Sequence, residues 1–234
     1  MEDIDNKNKN ITVNENNENE NNKEDNLEIF NKKFNTNFSL ESKSLNISKK
    51  DIRNEGLQLF VQIPFNKFNQ INYLNLSKNN LSNITPLLKL NLENLVELNL
   101  SNNNIENIDI FENLNLINLQ ILNLSTNKLK EFKVLTKTNL LSLQALCLGG
   151  NKISDINILE FMICPNLDGI DFYNNDIKDI TVLERINFPK LQVLNLGDNY
   201  FDHELIKNYD IIANLKKKGI NIIVGGILKK HFVN

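Results

Sequence analysis

The sequence predicts an α/β solenoid, with a parallel sheet on a concave face, short 3₁₀ or loosely helical returns on the convex face, and a helical C-terminal cap. Three observations predict it. Asparagines recur every 24 residues, at Asn79, Asn103, Asn127, Asn151, Asn175 and Asn199, and a fixed period of that size marks a repeat architecture. An alternating apolar run precedes each of them. In LQILNLSTNKL, Leu119 to Leu129, Leu122 and Leu124 share one face of a strand, and Ile121, Asn123 and Ser125 share the other. Related segments begin at Ile71, Leu95, Leu143, Leu167 and Leu191. In five of these units apolar residues recur after the asparagine at +2, +5, +8, +11, +13 and +16; for Asn103 these are Ile105, Ile108, Phe111, Leu114, Leu116 and Leu119. A step of three suits a 3₁₀ or loosely helical backbone rather than a strand.

Taken in order, residues 1–27 are Asn, Glu, Asp and Lys with few apolar residues, and are expected to be a disordered acidic tail. Residues 28–44 carry Ile29, Phe30, Phe34, Phe38 and Leu40, and are expected to be an N-terminal lid over the open end of the stack. The repeats occupy 45–201, one degenerate unit followed by six regular ones. The degenerate unit, SLNISKKDI from Ser44, places Lys50 where Asn79 stands 29 residues later. Its linker predicts a helical turn or two over Glu55 to Val61, ended by Pro64. Returns are wider than strands, which stack about 4.8 Å apart, so the stack bends with the strands inside. Each repeating asparagine is expected to hydrogen-bond backbone groups of its own and neighbouring coils where the chain turns. Residues 202–234 form the C-terminal cap. Asp202 is the expected N-cap, and Leu205, Tyr209, Ile212 and Leu215 the expected buried face of the helix. Lys216, Lys217 and Lys218 lie in its last turns, Gly219 stops it, and Ile220 to Val224 reads as a short strand before a turn at Gly225-Gly226.

The side chains expected to face the concave groove form three columns. The first is Tyr73, Glu97, Ile121, Ala145, Gly169 and Val193; the second is Asn75, Asn99, Asn123, Cys147, Asp171 and Asn195; the third is Ser77, Ser101, Ser125, Gly149, Tyr173 and Gly197. The surface is nearly uncharged, and its centre around Ala145, Cys147, Gly149 and Gly169 is bare. Aromatic and apolar anchors within a polar rim suit a protein interface. The candidate protein-binding residues are therefore Tyr73, Glu97, Ile121, Asn123, Cys147, Asp171, Tyr173, Val193 and Asn195.

Other functions find little support. A net charge of -3 gives no reason to expect nucleic acid. Cys147 is expected to face the groove and Cys164 the core, so neither a disulfide nor a shared metal is expected, and His203 and His231 lie far along the stack in the cap. Asp171, Asp198 and Glu97 stand several strands apart, which gives no paired-carboxylate site. Gly149-Gly150 lacks the lysine and hydroxyl residue of a phosphate loop. No enzyme, cofactor or metal is expected. The N-terminus reads as no signal peptide, and no stretch reaches 18 apolar residues, so membrane insertion is not expected. Sequons occur at Asn75, Asn83, Asn99 and Asn123. Three lie within predicted strands, where glycans would crowd the face, so the expectation is a reducing compartment, cytoplasmic with the nucleus left open; a monomer is expected.

The LxxLxLxxNxL signature resembles the leucine-rich repeat superfamily over roughly residues 45–201. The return, N-x-I-x-x-I-x-x-L, resembles the intracellular class typified by a protein phosphatase 1 regulatory subunit, although its units usually have 22 residues rather than 24. The plant-type Gly-x-Ile-Pro return and the Cys-rich extracellular cap are absent. The resemblance implies a horseshoe that binds a partner polypeptide on its concave face without catalysis. A regulatory subunit of an enzyme such as a phosphatase, and a cytoskeletal or assembly component, are the alternatives. The phosphatase regulator lines its groove with acidic and aromatic residues, and this chain mostly does not.

Overall fold

Each predicted coil forms because its apolar residues point inward all the way round and its turn is tied by side-chain amides. A computed structural model describes residues 26–63, 71–202 and 205–225. Eight strands of three residues each run β1 (Ser44–Asn46), β2 (Tyr73–Asn75), β3 (Glu97–Asn99), β4 (Ile121–Asn123), β5 (Ala145–Cys147), β6 (Gly169–Asp171), β7 (Val193–Asn195) and β8 (Asn221–Ile223). They pair in parallel in chain order as one sheet. The register never slips: Tyr73, Glu97, Ile121, Ala145, Gly169 and Val193 stand side by side. Their central residues, Leu74, Leu98, Leu122, Leu146, Ile170 and Leu194, point inward and are buried. The 3₁₀ returns are Thr85–Lys89, Asp109–Asn113, Lys133–Thr136, Asn157–Phe161 and Thr181–Glu184.

The repeating asparagines are buried, and each joins two coils. The Asn127 amide donates to its own Leu124 carbonyl at 3.0 Å and to Leu100 of the preceding coil at 3.0 Å, while its oxygen accepts from Ile105 N–H at 3.0 Å. Asn103, Asn151, Asn175 and Asn199 repeat the arrangement. Asn79 reaches back to the degenerate unit, donating to Ile47 and accepting from Lys50 and Ile52 N–H. Because every asparagine serves the coil before it, the first unit has nothing to serve, which accounts for Lys50 at that position. No buried side-chain nitrogen or oxygen among the described residues lacks a partner.

The turn demands a left-handed residue just before each asparagine. Lys78, Asn102, Thr126, Gly150, Asn174 and Asp198 all have φ between 53° and 69°. The strands are short because this turn begins three residues after each one ends. The returns begin with a second device. Asn83, Asn107, Asp155 and Asp179 each accept, at 2.7–2.9 Å, the N–H two residues on, which opens the 3₁₀ turn.

At the N-terminal end, α1 (26–34) lies against α2 (Arg53–Phe60), the helical return of the degenerate unit. The Phe30 ring lies 4.7 Å from that of Phe34 and 5.5 Å from that of Phe60. Gly56 permits this approach, since a β-carbon there meets Phe34 and Ile52 at 2.7 Å. Of the apolar residues expected to pack here, Phe30 and Phe34 are buried and Phe38 and Leu40 partly so, but Ile29 is 51% exposed. It sits on the outer side of α1. Of the tail expected over 1–27, residues 1–25 lie outside the described residues, as does Pro64.

At the C-terminal end, α3 (Ile206–Lys217) starts later than Asp202, with Leu205 at the N-cap position and no side-chain cap. Asp202 instead offers its carbonyl to the Asn208 amide at 2.7 Å. The buried face is Asn208, Ile211, Ile212 and Leu215, while Leu205 and Tyr209 are exposed. Packing against the last return and β8 turns the helix so that Ile211, rather than Tyr209, faces inward. The helix ends as expected. Gly219 at φ 85° donates to Lys216, and Ile220 to Leu215, the paired bonds of a Schellman stop. β8 then adds an eighth rung to the sheet beside β7, in register Val193 to Asn221.

Two substitutions test this account. Asn127→Ala leaves carbonyls and an N–H buried without partners and is expected to cost about 3 kcal/mol in urea unfolding; Asn127→Asp, which sets a carboxylate against carbonyl oxygens, is expected to cost more. Thr126→Asn is expected to raise stability by about 1 kcal/mol, because a β-branched residue is strained at φ 56°.

Candidate functional site: the concave face

Parallel register places the first and third residue of every strand on the outer side of the sheet. In the first column, Tyr73, Glu97, Ile121, Ala145 and Gly169 are half-buried, and Val193 is 39% exposed. The second column, Asn75, Asn99, Asn123, Cys147, Asp171 and Asn195, is also half-buried, and most of it has a further task. The side-chain oxygens of Asn75, Asn99, Asn123, Asp171 and Asn195 each accept the N–H two residues on, at 2.9–3.1 Å. Asn46 does the same in β1. Cys147 carries no such acceptor and breaks the series.

The third column differs from expectation. Ser77, Ser101, Gly149 and Gly197 are buried and Ser125 is half-buried, because the turn draws the backbone in beneath the second-column side chains; the Ser101 hydroxyl, for one, donates to Asn99 Oδ1. Tyr173 alone of the column is exposed, at 43%. Its hydroxyl donates to Asp198 Oδ2 at 2.6 Å, and that bond, with the negative charge of Asp198, pushes the phenol above its usual range.

The centre of the face is bare. A β-carbon at Gly169 meets nothing within 4 Å. At Gly149 it meets Asp171 Oδ2 at 2.9 Å, so the Asp171 carboxylate leans over Gly149 into the space left by the missing side chain. Burial first, then the charges of Asp171 and Glu97, push the Cys147 thiol up. Cys164 lies buried in its return, where burial raises it to about 11. Described ion pairs, Arg53–Asp51, Lys133–Glu131, Lys137–Glu112 and Arg185–Glu160, lie away from the strands, and none engages Glu97, Asp171 or Asp198. Among the described residues no group of three His, Cys, Asp or Glu side chains could hold a metal ion. His203 and His231 lie outside those residues. No described helix is long and apolar enough to cross a membrane.

The family profile described as Leucine Rich Repeat matches residues 94–114, the stretch that contains β3 and the Asn103 turn. Solved structures share the arrangement over most of the chain. An internalin (inlF) of Listeria monocytogenes matches with a TM-score of 0.53 at 19% identity, over 87% of this chain and 61% of its own. The chain has the fold of a leucine-rich repeat solenoid. An internalin C2 of the same organism (TM-score 0.50, 22% identity) covers 83% of the solenoid chain and 88% of its own. A leucine-rich repeat protein of Leptospira interrogans (0.51, 23%) covers 70% and 44%. At these identities the likeness is one of fold. The solenoid chain spans less than two thirds of the inlF and Leptospira chains. No curated protein sequence matches it.

Two features of the leucine-rich repeat surface are not evident from the sequence pattern of a single unit. Ile223, on β8, continues the second column and is 41% exposed beside Asn195. On the returns, Phe161 and Ile163 are 66% and 72% exposed. Their counterparts are Lys89, Asn113, Lys137 and Arg185 at one position, and Asn91, Asn115, Asn139 and Asn187 at the other. Aligning the units against one another reveals both, since the remaining units supply the expected polar residue.

The two thiols give a direct check on the geometry. In native protein at pH 8, iodoacetamide is expected to label Cys147 more slowly than a free cysteine, since a raised thiol has less thiolate to react. The rate should climb as pH rises beyond the ordinary thiol range. Cys164 is expected to resist labelling until the chain unfolds, as read by peptide mass spectrometry.

Proposed function

We propose that this leucine-rich repeat domain is a non-catalytic binding module that holds a partner polypeptide on its concave face. Leucine-rich repeat domains are typically protein-binding modules. The observation that carries the placement is the outer side of the sheet. Ile121, Tyr173 and Val193 stand around a centre where Gly169 leaves open space and Gly149 has no side chain, so an incoming chain can lie close to the backbone between anchors. The structural task of Asn123, Asp171 and Asn195 bears on their role in binding. One oxygen of each is committed to the turn, which leaves the remaining amide or carboxylate atoms for a partner. Tyr73 is similarly braced, its hydroxyl accepting from the Asn75 amide at 3.1 Å.

The finer placing, in the intracellular class typified by the phosphatase regulatory subunit, rests on the N-x-I-x-x-I-x-x-L return. With it go a monomer in the cytoplasm or nucleus and the possibility of an enzyme as the partner. The buried +2, +5 and +8 residues, such as Ile105, Ile108 and Phe111, are compatible with that return. The half-buried, hydrogen-bonded asparagines at Asn75, Asn99 and Asn123 support a chain without glycans at those sites.

The test is affinity capture with wild type, with Ile121→Ala/Tyr173→Ala, and with Phe161→Ala on the return as control. A partner recovered in near-equal amount by wild type and control, and at least tenfold less by the double variant, is the expected result. Equal recovery by the double variant overturns the concave placement.

A further inference from the structure

We propose that the segment held on the concave face presents a Lys or Arg side chain, its aliphatic stem lying along the small residues of β5 and its cation meeting the Asp171 carboxylate. This rests on the concave-face reading above and names the chemistry of the occupant. Ala145, Cys147 and Gly149 follow one another at two-residue steps along that coil, so no side chain larger than that of Cys147 rises from it on this face. Ile121 and Asn123 stand in register on one side, Gly169 and Asp171 on the other. At Gly169 a β-carbon meets nothing within 4 Å, so the floor continues toward Val193. A long stem can cover the Ala145 methyl and the Cys147 thiol while its charged head stays at the rim. Burial, then the charges of Asp171 and Glu97, push that thiol up, so it lines the floor as a neutral group.

The charge at Asp171 has no structural use. The turn needs one oxygen to accept the N–H two residues on, and Asn75, Asn99, Asn123 and Asn195 supply it from a neutral amide. Asp171 supplies it with Oδ1, while Oδ2 leans over Gly149. A carboxylate at this position therefore adds a negative charge that the coil does not require. Glu97, in the first column beside Ile121, adds another. No described ion pair engages either residue. The outward positions of β2 to β7 hold no Lys, Arg or His to balance them. A face with acid and no base attracts a cationic segment and repels an acidic one. Floor and charge thus select the same side chain, apolar along its length and positive at its tip. The apolar residues around it in the partner would meet Ile121 and Val193.

The experiment selects binders to the full chain from a displayed library of random peptides, then measures a synthetic representative against wild type, Asp171→Asn and Ile121→Ala/Tyr173→Ala. Asp171→Asn installs the residue of the other coils and keeps the oxygen that accepts the Tyr173 N–H, so the turn is retained. The expected peptides share a Lys or Arg at one position among apolar residues. The representative should bind Asp171→Asn at least tenfold more weakly. Replacing its Lys or Arg by Gln should cost as much against wild type and nothing further against Asp171→Asn, the signature of a direct pair. Peptides that are lost in Ile121→Ala/Tyr173→Ala but share no cation, or that bind Asp171→Asn equally well, leave the concave reading standing and overturn this one. Peptides indifferent to both variants overturn both. An empty selection also overturns the cation reading, while the capture experiment still decides the placement.

Discussion

The whole molecule depends on one side-chain amide placed where the chain must turn. A coil of this solenoid has three residues of strand and about one turn of 3₁₀ helix, too little regular structure to satisfy its own backbone. The asparagine supplies two donors and an acceptor in a single group, and Asn127 uses them on Leu100, Leu124 and Ile105. Its bonds run both within the coil and to the coil before it. The same atoms therefore shape the turn and set the spacing of the stack. Glutamine would be too long for the site, and aspartate would bring oxygen against oxygen.

Once this ladder exists, other short polar side chains repeat the same strategy. Asn83, Asn107, Asp155 and Asp179 open the returns, and the second-column residues from Asn46 to Asn195 close the strands. Three fixed positions per coil thus call for Asn or Asp, so much of the asparagine within the repeats has a structural use. The hydrogen bond from Thr181 N–H holds the Asp179 carboxyl below its ordinary range, as expected of an anion that caps a backbone turn. The Cys147-Gly149-Gly150 coil lacks the second-column acceptor and a third-column side chain, and this is where the groove is barest.

The fold was legible because its signals are periodic and local. Leu122, Leu124 and Asn127 repeat in six coils, and a sixfold pattern is hard to misread. Features that depend on one contact were not. Leu205, Ile206, Tyr209, Ile211, Ile212 and Leu215 spread apolar residues around much of α3, so its inner face is chosen by the last return and β8 rather than by spacing. Ser77 and Ser101 alternate correctly for an outward column, yet the left-handed turn after them pulls them under Asn75 and Asn99. The groove residues Tyr73, Ile121 and Tyr173 were readable as positions. Which oxygens were already committed to the backbone was not, because Asn in a strand and Asn capping a turn look alike in sequence.

The ladder's direction has a mechanical consequence. The interstrand hydrogen bonds and the asparagine bridges both point along the axis of the stack, from one rung to the next. A pull between the two ends of the solenoid loads them one row at a time, in the manner of a zipper rather than a shear joint. Each coil that peels away releases 24 residues, roughly 80 Å of slack, and surrenders the asparagine bridge to its neighbour in the same event. The molecule would thus yield under tension in equal steps, beginning at whichever end cap gives first.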